Sequence, residues 1–368
     1  MKRIANYITI IAFFTITVMF GAGTLILGRM DLPQKEIPEG KNIIKKSETF
    51  INNNFPLKHN WKSLYTNIMV SSGITEFDGI YLVDGKLLKS HEDFNSETIE
   101  KTNETINKFA ASQKIPVFAM IVPTAAGIYS SKLPSYSKAS EQRQTIDDVY
   151  LKLDKSITAI DAFYPLYSAK NEYIYYKTSD CWTSFGAYYA YIEAVKKLGF
   201  QAVTLSNYDK EYAEENYFGE LYQKVYYSGI KGDRINIFRS KFKSPVTNVT
   251  LYKGEQTFTA KSVYFKSALK TFDKTDIFMQ GDKYEKAVIN TNLKDAPRLL
   301  IIKGSCANAM VPFLTAHYSQ ITMIDPKMMA ARGKTLAQLA DTNEFDQILI
   351  MCDISEYCSG DIQNIVQK

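Results

Sequence analysis

The chain of 368 residues carries 44 Lys and Arg against 39 Asp and Glu, a net charge of +5, and 45% of its residues are hydrophobic. This length and apolar content suffice for one large domain with an appendage, or for two smaller domains. The charge is mild, and no stripe of basic residues with interleaved aromatic residues occurs. Nucleic acid is therefore not expected to be a partner.

The N-terminal segment predicts a membrane anchor. Residues 7–27 are almost wholly apolar and uncharged, about long enough to cross a bilayer as a helix. A cleaved signal peptide is the alternative, with Gly21-Ala22-Gly23 as the small-residue candidate site. Because the apolar run continues past that site to Leu27, an uncleaved signal anchor is favoured.

The anchor sets the expected arrangement of the remaining chain. Lys2 and Arg3 favour a cytoplasmic N-terminus for residues 1–6. Residues 28–49, with several Pro and Gly, predict an exposed tether. We expect residues 50–368 to form the main domain on the outer side of the cytoplasmic membrane.

Periodicity and turn residues then predict an alternation of strands and helices. Asp84-Gly85 between two apolar runs indicates a tight hairpin. Continuous apolar runs are typical of strands buried in a parallel sheet. The predicted strands are 80–83, 86–88, 117–122, 173–176, 298–302, 321–324 and 347–351; the predicted helices are 55–70, 96–112, 142–153, 185–198, 309–317 and 335–339. This alternation indicates a three-layer α/β fold with a mostly parallel sheet flanked by helices.

Two local features accompany these elements. Residues 208–282 are rich in Tyr, Thr, Val and Lys with Gly turns, which predicts β-hairpins as an insertion or a sheet extension. Ser96 is the expected cap of its helix, and Pro312 is expected in the first turn of its own.

The stretch from Tyr175 to Gly186 is the most informative part of the chain. It runs from a short aromatic strand through a polar turn into a helix that Thr183 or Ser184 can cap. Polar side chains on such a turn lie where sheet proteins usually place functional groups.

This stretch resembles the signature of the DHHW family, bacterial cell-surface proteins related to the alginate O-acetyltransferase-like SGNH hydrolases. The family pattern reads roughly Thr-Asp-His-His-Trp-Thr, followed by Gly-Ala-Tyr. The matching residues are Thr178, Trp182, Thr183 and Gly186-Ala187-Tyr188. Ser179, Asp180 and Cys181 stand where the family has its Asp and two His.

The resemblance extends from about Phe50 to the C-terminus and includes three further blocks. Pro123-Thr124-Ala125 follows a buried strand, Phe278 to Asp282 resembles a Phe-Leu-x-Gly-Asn block, and Lys303 to Ala307 falls where the family has an Asp-Ser-Tyr-Ala-like nucleophile block. It implies an SGNH-hydrolase-like fold after the anchor. It also assigns binding positions to Asp180, Trp182, Pro123 and Thr124.

The same resemblance implies a catalytic set that this chain has altered. Ser305 occupies the nucleophile position, with Gly304 and Cys306 in place of Asp and Tyr. Cys181 replaces the family's base His, and Ser179 replaces the Asp that orients it. In the oxyanion block Gly281 is kept, but Asp282 replaces an Asn, and a carboxylate repels a developing oxyanion.

Three losses together argue against serine acyl-transfer chemistry, because a serine hydroxyl is a poor nucleophile without a base. The remaining histidines are His59, His91 and His317, and their positions beside or at the ends of elements predict surface or helix-end roles. Asp180 is offset by one position from the family's base.

The four cysteines are Cys181, Cys306, Cys352 and Cys358. The resemblance implies that Cys181 and Cys306 lie close together, as a disulfide or a packed thiol pair, while Cys352 and Cys358 are candidates for a local bridge. A cysteine nucleophile at Cys181 or Cys306 is the rival idea, without a nearby His to form the thiolate. The spacings do not fit a zinc site, and no metal or other cofactor is expected.

Two main function classes follow. The first is a non-catalytic, membrane-anchored protein that binds a cell-surface glycan or assists a membrane-bound O-acyltransferase in polysaccharide O-acetylation. The second is an active O-acetyltransferase or esterase that uses Ser305 with an unrecognised base. A structural envelope protein without a ligand is a third.

Overall fold

The computed structural model of the protein describes residues 2–30, 50–51, 54–90, 94–137, 139–242 and 245–366. These residues form two compact units, Met1–Ile74 with Val225–Ser228, and Thr75–Lys224 with Gly229–Lys368. The division falls after Ile74, later in the chain than the expected domain start at residue 50.

The first unit contains two long helices. Helix α1 (Lys2–Met30) includes the stretch Tyr7–Ile26, which is long and apolar enough to cross a membrane. This stretch is compatible with a single-pass anchor or a signal sequence. Helix α2 (Lys58–Ser71) follows, and most of the expected tether lies outside the described residues.

The second unit is built from strands and short helices in alternation. Its strands are β1 (Glu76–Phe77), β2 (Ile80–Val83), β3 (Lys86–Lys89), β4 (Val117–Val122), β5 (Ile157–Asp161), β6 (Tyr208–Tyr217), β7 (Asp233–Ser240), β8 (Val246–Lys253), β9 (Gln256–Ala260), β10 (Lys286–Thr291), β11 (Arg298–Lys303), β12 (Gln320–Ile324) and β13 (Gln347–Asp353). The helices after α2 are α3 (Ser96–Ala111), α4 (Ala125–Ile128), α5 (Glu141–Lys152), α6 (Phe163–Ser168), α7 (Ser184–Lys197), α8 (Tyr222–Val225), α9 (Ala307–Leu314), α10 (Pro326–Ala331), α11 (Leu336–Leu339) and α12 (Ile354–Ser359).

The central sheet has eight strands in the order β5-β4-β13-β11-β12-β10-β8-β9. The pairings from β5 to β12 are parallel, and β10, β8 and β9 continue the sheet antiparallel. The predicted fold class, a mixed α/β fold with a mostly parallel sheet flanked by helices, is confirmed.

Alternation along the strands builds a core on each face of this sheet. In β4, Phe118 and Met120 pack into one core, and Val117 and Ala119 pack into the other. Successive strand side chains point to opposite faces, so a continuous apolar run is buried on both sides. This is why the sequence of β4 has no polar alternation.

The region 208–282 divides between two structures. Strands β6 and β7 pair with each other as a separate two-stranded ribbon, whereas the hairpin β8–β9 joins the edge of the main sheet through β10. Part of the region therefore extends the sheet.

Three local predictions were wrong. Residues 173–176 form no strand; only Tyr175 makes an isolated bridge, to Trp182. Asn95, one residue before Ser96, caps α3 by accepting hydrogen bonds from two backbone N–H groups. Pro312 lies inside the wholly buried helix α9 rather than in its first turn, so packing outweighs the hydrogen bond that proline cannot donate there.

Candidate functional site

The candidate site lies at the carboxyl edge of the parallel strands. Strand β11 ends in Lys303 and is followed by Gly304 and Ser305; its neighbour β13 ends in Asp353 and leads into helix α12. Open α/β sheets place their ligand sites at this edge. The sheet order thus brings residues from positions 303–306 and 353–356 together.

Ser305 is held by a carboxylate that the sequence did not indicate. Its hydroxyl donates a 2.6 Å hydrogen bond to Oε1 of Glu356, and its backbone N–H donates a 2.8 Å bond to the same oxygen. Glu356 therefore accepts hydrogen bonds from both the hydroxyl and the backbone N–H of Ser305.

The other groups around Glu356 fix it in this position. Its Oε2 accepts a hydrogen bond from the Asp353 N–H at 3.1 Å, and Asp353 in turn caps α12, forming a capping box. Burial, and then the nearby Asp353 carboxylate, raise the pKa of Glu356 to about 8. A Cβ atom on residue 304 would overlap Oε2 of Glu356, so the carboxylate can approach only because Gly304 has no side chain.

A buried lysine at the end of β11 organises the charges beside this pair. The Lys303 side chain has no exposed surface; its Nζ forms an ion pair with Asp282 and lies 3.4 Å from Oδ2 of Asp325. Burial opposes the charge of Lys303, but the carboxylates outweigh it and raise the pKa of the lysine. Burial would likewise raise the pKa of Asp282, yet Lys303 and Asn308 hold it below its ordinary value.

These charged groups line a small cleft of about 280 Å³. The residues around it include Asp282, Lys303, Asp325 and Glu356. The volume is near the lower end of the range for ligand pockets. Among the described residues, no group of three or more His, Cys, Asp or Glu side chains is placed to hold a metal ion.

The predicted oxyanion block is also engaged within the protein. Gly281 adopts a left-handed conformation with φ of 66°, and its N–H donates to the Phe278 carbonyl at 3.0 Å. Asp282 accepts a hydrogen bond from Asn308 Nδ2 at 2.9 Å in addition to its ion pair. The Gly281 N–H is thus used within its own turn, and the Asp282 carboxylate accepts hydrogen bonds rather than donating them.

The signature turn is held by a second carboxylate, Asp233 at the start of β7. It is buried and accepts hydrogen bonds from Tyr173 Oη at 2.5 Å, from Lys177 N at 2.8 Å, and from the N–H and hydroxyl of Thr178 at 2.9 and 2.5 Å. Thr178 Oγ1 accepts the Gly219 N–H in turn. Thr178 thus anchors the turn through its N–H and its hydroxyl.

The end of the turn begins helix α7 in the way the sequence indicates. Thr183 is its N-cap: the side-chain oxygen accepts from the Phe185 and Gly186 N–H groups, and the hydroxyl donates to the Tyr173 carbonyl at 2.6 Å. Trp182 is buried, and its indole Nε1 donates to the Cys306 carbonyl at 3.0 Å. The Trp182 contact joins the signature turn to the Ser305 turn.

All four cysteines, Cys181, Cys306, Cys352 and Cys358, are free thiols in the structure. Burial, together with Glu356, raises the pKa of the Cys306 thiol well above its ordinary value. Burial of the Cys181 thiol also raises its pKa well above the ordinary value, although part of that residue is open to solvent. Raised pKa values disfavour the thiolate that a cysteine nucleophile requires.

The two residues before Cys181 have local partners. Ser179 is buried, and its Oγ accepts the Cys181 N–H at 3.3 Å. The backbone N–H of Asp180 donates to Glu220 Oε1 at 2.7 Å.

Pro123 and Thr124 follow β4 as expected, but both are buried. The Pro123 carbonyl accepts the Tyr175 hydroxyl at 2.5 Å, and Gln142 pairs with the N–H and hydroxyl of Thr124. Their polar groups, like the Trp182 indole, serve contacts inside the protein.

The described histidines do not reach the site. His59 belongs to the first unit and stacks on Tyr226. His317 lies beyond the far end of α9, where its Nε2 is 2.7 Å from the Tyr191 hydroxyl and burial lowers its pKa to about 4. His91 lies outside the described residues.

Sequence reasoning missed Glu356, Asp233 and Lys303 as parts of the site. Glu356 stands three residues after Asp353, the spacing of a capping box, and this pattern was the available signal. Lys303 ends an apolar strand, a position where an unpaired charge is costly. Nothing local marks Asp233, because it reaches the turn from a strand more than fifty residues away.

The fold and this edge define an α/β protein with a serine turn after a central parallel strand and a Trp-containing turn against it. The chain belongs to the DHHW protein family, whose model matches residues 64–324. The family predicted from the signature is therefore confirmed. No curated protein matches the chain by sequence.

Several solved structures are similar. A DHHW family protein from Eubacterium siraeum is 22% identical, with 80% of this chain and 98% of that one covered and a TM-score of 0.62. Bacillus cereus PatB1, in a structure with a sulfonyl adduct, is 18% identical over 78% and 98%, with a TM-score of 0.66. The O-acetyltransferase domain of Pseudomonas putida AlgJ is more distant: 12% identical over 79% and 93%, with a TM-score of 0.43. At these identities the likeness to the Eubacterium siraeum protein and to PatB1 shows the shared fold.

Proposed function

We propose that this protein is a membrane-anchored, extracytoplasmic member of the DHHW family that serves cell-surface polysaccharide O-acetylation without performing acyl transfer itself. Its role is to bind the glycan or to assist a membrane-bound O-acyltransferase. Family membership supports the setting, because the family resembles the alginate O-acetyltransferase-like proteins. The apolar stretch Tyr7–Ile26 supports the anchoring.

The observation that carries the loss of catalysis is the Ser305–Glu356 contact. Acyl transfer needs a base for the hydroxyl and N–H donors aimed at the developing oxyanion. Here one carboxylate oxygen accepts from both the hydroxyl and the N–H of Ser305. A protonated Glu356 cannot accept the serine proton, and the Ser305 N–H that could donate to an oxyanion is already bonded to Glu356 Oε1.

The rest of the site supports the same conclusion. No histidine among the described residues contacts Ser305, and the Gly281 N–H is used within its own turn. Asp282 is fixed by Lys303 and Asn308 as a paired anion. The scaffold that presents Ser305 is retained, whereas the groups that would activate it are engaged elsewhere or replaced.

Hydrolysis of a chromogenic acetyl ester tests this proposal. The full chain in lipid nanodiscs is compared with Ser305→Ala, and we expect equal background rates for both. Activity of the wild type that disappears in Ser305→Ala would overturn the loss of catalysis.

In a second candidate function, the Ser305–Glu356 contact activates the serine instead of blocking it. At 2.6 Å, Glu356 is within reach to act as the general base of Ser305. Because its pKa is raised to about 8, such activity would increase as pH rises through that value. A rate that rises as pH passes through about 8, levels off above it, and is lost in both Ser305→Ala and Glu356→Gln would establish this function.

The accessory role has its own test. Vesicles that contain the full chain are incubated with O-acetylated and de-O-acetylated cell-surface polysaccharide, and membranes are probed for a co-purifying O-acyltransferase. Binding of the polysaccharide or co-purification of an O-acyltransferase supports the role. If the folded protein binds neither, the role is contradicted.

A further inference from the structure

Helix α2 has an apolar face that is open in the structure. Trp61, Leu64, Tyr65 and Ile68 are 47%, 51%, 57% and 55% exposed. Residues spaced by three, four and seven positions lie on one side of a helix. Four large apolar side chains in one continuous stripe are therefore about half exposed against the described residues of this unit.

The opposite face of α2 is already occupied, which fixes the orientation of the helix. Thr66 Oγ1 donates to the Val225 carbonyl at 2.5 Å, and the Ser228 hydroxyl donates to Asn67 Oδ1 at 2.8 Å. The His59 ring stacks on Tyr226 with centroids 4.6 Å apart. Since these contacts hold one face, the apolar stripe must point away from residues 225–228.

The stripe begins at the membrane-span candidate. The Phe20 ring lies 5.2 Å from the Phe55 ring and 5.9 Å from the Trp61 ring, measured between centroids. A Cβ atom on Gly23 would lie 2.8 Å from Pro56 Cγ, so the chain just before α2 packs closely on the span. Phe20 precedes the end of the span at Ile26 by six residues, about 9 Å along a helix. Trp61 therefore lies at the depth of the last turns of the span.

The composition of α2 fits the boundary between lipid headgroups and acyl chains. The helix carries Trp61 and Tyr65 on its apolar side and Lys58 and Lys62 elsewhere, and it contains no acidic residue. Interfacial helices combine Trp, other apolar residues and Lys in this way, and insert about 5–10 Å into the headgroup boundary.

We propose that α2 is a membrane-interface helix whose Trp61, Leu64, Tyr65 and Ile68 face lies in the bilayer surface at which the Tyr7–Ile26 span ends. The inference rests on the proposed anchoring of the chain and adds a second attachment to it. The lipid bilayer is therefore what covers the apolar face of α2. The attachment holds the segment that leads into the second unit on the membrane surface.

Depth-dependent fluorescence quenching tests the inference. The full chain is reconstituted in phosphatidylcholine–phosphatidylglycerol vesicles with and without bromine on the acyl chains. The wild type has two tryptophans, and Trp61→Phe retains only the buried Trp182. We expect brominated lipid to reduce the wild-type emission and to leave the emission of Trp61→Phe unchanged. Equal responses of the two proteins would overturn the proposal.

An aqueous quencher identifies what covers the face if lipid does not. Quenching of Trp61 by acrylamide but not by brominated lipid would mean that the face is in water. Protection from both would mean that a second copy or another segment of the chain covers it. Either result contradicts the proposal.

A double substitution and a retention assay complete the test. Leu64→Ser with Ile68→Ser leaves Thr66 and Asn67 in place and is expected to shift the Trp61 emission to longer wavelength; Leu151→Ser, on an exposed leucine of the second unit, is the matched control. An unchanged Trp61 emission in the double variant would contradict the proposal. Release of the chain from vesicles at alkaline pH would refute the anchor itself, whereas retention without quenching would refute only the interface helix.

Discussion

At the scale of single residues, Gly304 and Glu356 together determine the surroundings of Ser305. The Glu356 carboxylate lies beside the serine and fits there only because residue 304 lacks a Cβ. Glu356 Oε1 accepts hydrogen bonds from both the hydroxyl and the N–H of Ser305. The proposed loss of acyl transfer depends on this contact.

The raised pKa of Glu356 predicts a specific pH dependence of stability. A carboxyl group whose pKa is higher in the folded than in the unfolded protein stabilises the fold below its ordinary pKa, and this contribution is lost as pH rises toward about 8. Glu356→Gln cannot titrate, so its free energy of unfolding should fall less steeply between about pH 5 and pH 8, with a difference in slope of up to about 1.4 kcal/mol per pH unit.

Denaturant unfolding of the full chain in detergent micelles measures these slopes. Glu141→Gln, on an exposed glutamate, is the matched control for removal of one carboxylate. Identical slopes for wild type and Glu356→Gln would contradict the raised pKa.

Asp233 is predicted to be the residue on which the signature turn depends most. Its carboxylate accepts four hydrogen bonds from Tyr173, Lys177 and Thr178, and the contributions of bonds to one shared acceptor are not additive. We expect Asp233→Ala to lower the free energy of unfolding by about 3–5 kcal/mol. Asp209→Ala, at an exposed position on β6, should change it little. A loss below about 1 kcal/mol in Asp233→Ala would show that the turn is held otherwise.

At the scale of secondary-structure elements, Thr183 joins the signature to helix α7. It caps two N–H groups and bonds the Tyr173 carbonyl. Thr183→Ala should therefore lower the free energy of unfolding by about 1–2 kcal/mol, and Thr183→Ser, which keeps the hydroxyl, by much less. Equal effects of the two substitutions would point to the methyl group rather than the cap.

Strand β11 ends in a buried lysine, and its removal should be costly. Lys303→Met leaves the buried Asp325 and the partly exposed Asp282 without their shared cation; leaving a buried carboxylate unpaired costs about 3–5 kcal/mol, and the exposed Asp282 adds less. Adding Asp282→Asn removes one of the two unpaired carboxylates and should recover part of that loss. Thermal unfolding of the single and double variants measures the coupling; a double variant less stable than Lys303→Met would contradict it.

The elements also show what the sequence could predict. Strands β4 and β11 are continuous apolar runs, and the Asp84-Gly85 hairpin depends on two positive φ angles that local sequence specifies. The aromatic residues 173–176 were misread as a strand because aromatic residues favour sheets, whereas here they pack as an irregular segment in the core. Ser305 was found from its position after β11, but its partner Glu356 depends on the pairing of β11 with β13, which local patterns do not reveal.

At the scale of the whole molecule, the chain combines a helix that is long and apolar enough to cross a membrane, an α/β unit of the DHHW family, and a serine held by Glu356. The family and the fold are established by the match to residues 64–324 and by the mostly parallel sheet. The proposed accessory role requires the chain to retain the family's surface and location while losing its chemistry. The reactivity of Ser305 decides between this role and an enzyme.

Covalent labelling of Ser305 by a sulfonyl fluoride is the most direct measurement. The full chain in nanodiscs is treated from about pH 6 to about pH 9, a range that spans the pKa of Glu356, and the peptide containing Ser305 is analysed by mass spectrometry. We expect an unmodified Ser305 at every pH, because Glu356 holds both its hydroxyl and its N–H. A sulfonyl adduct on Ser305 of the wild type would contradict it and identify the serine as a working nucleophile.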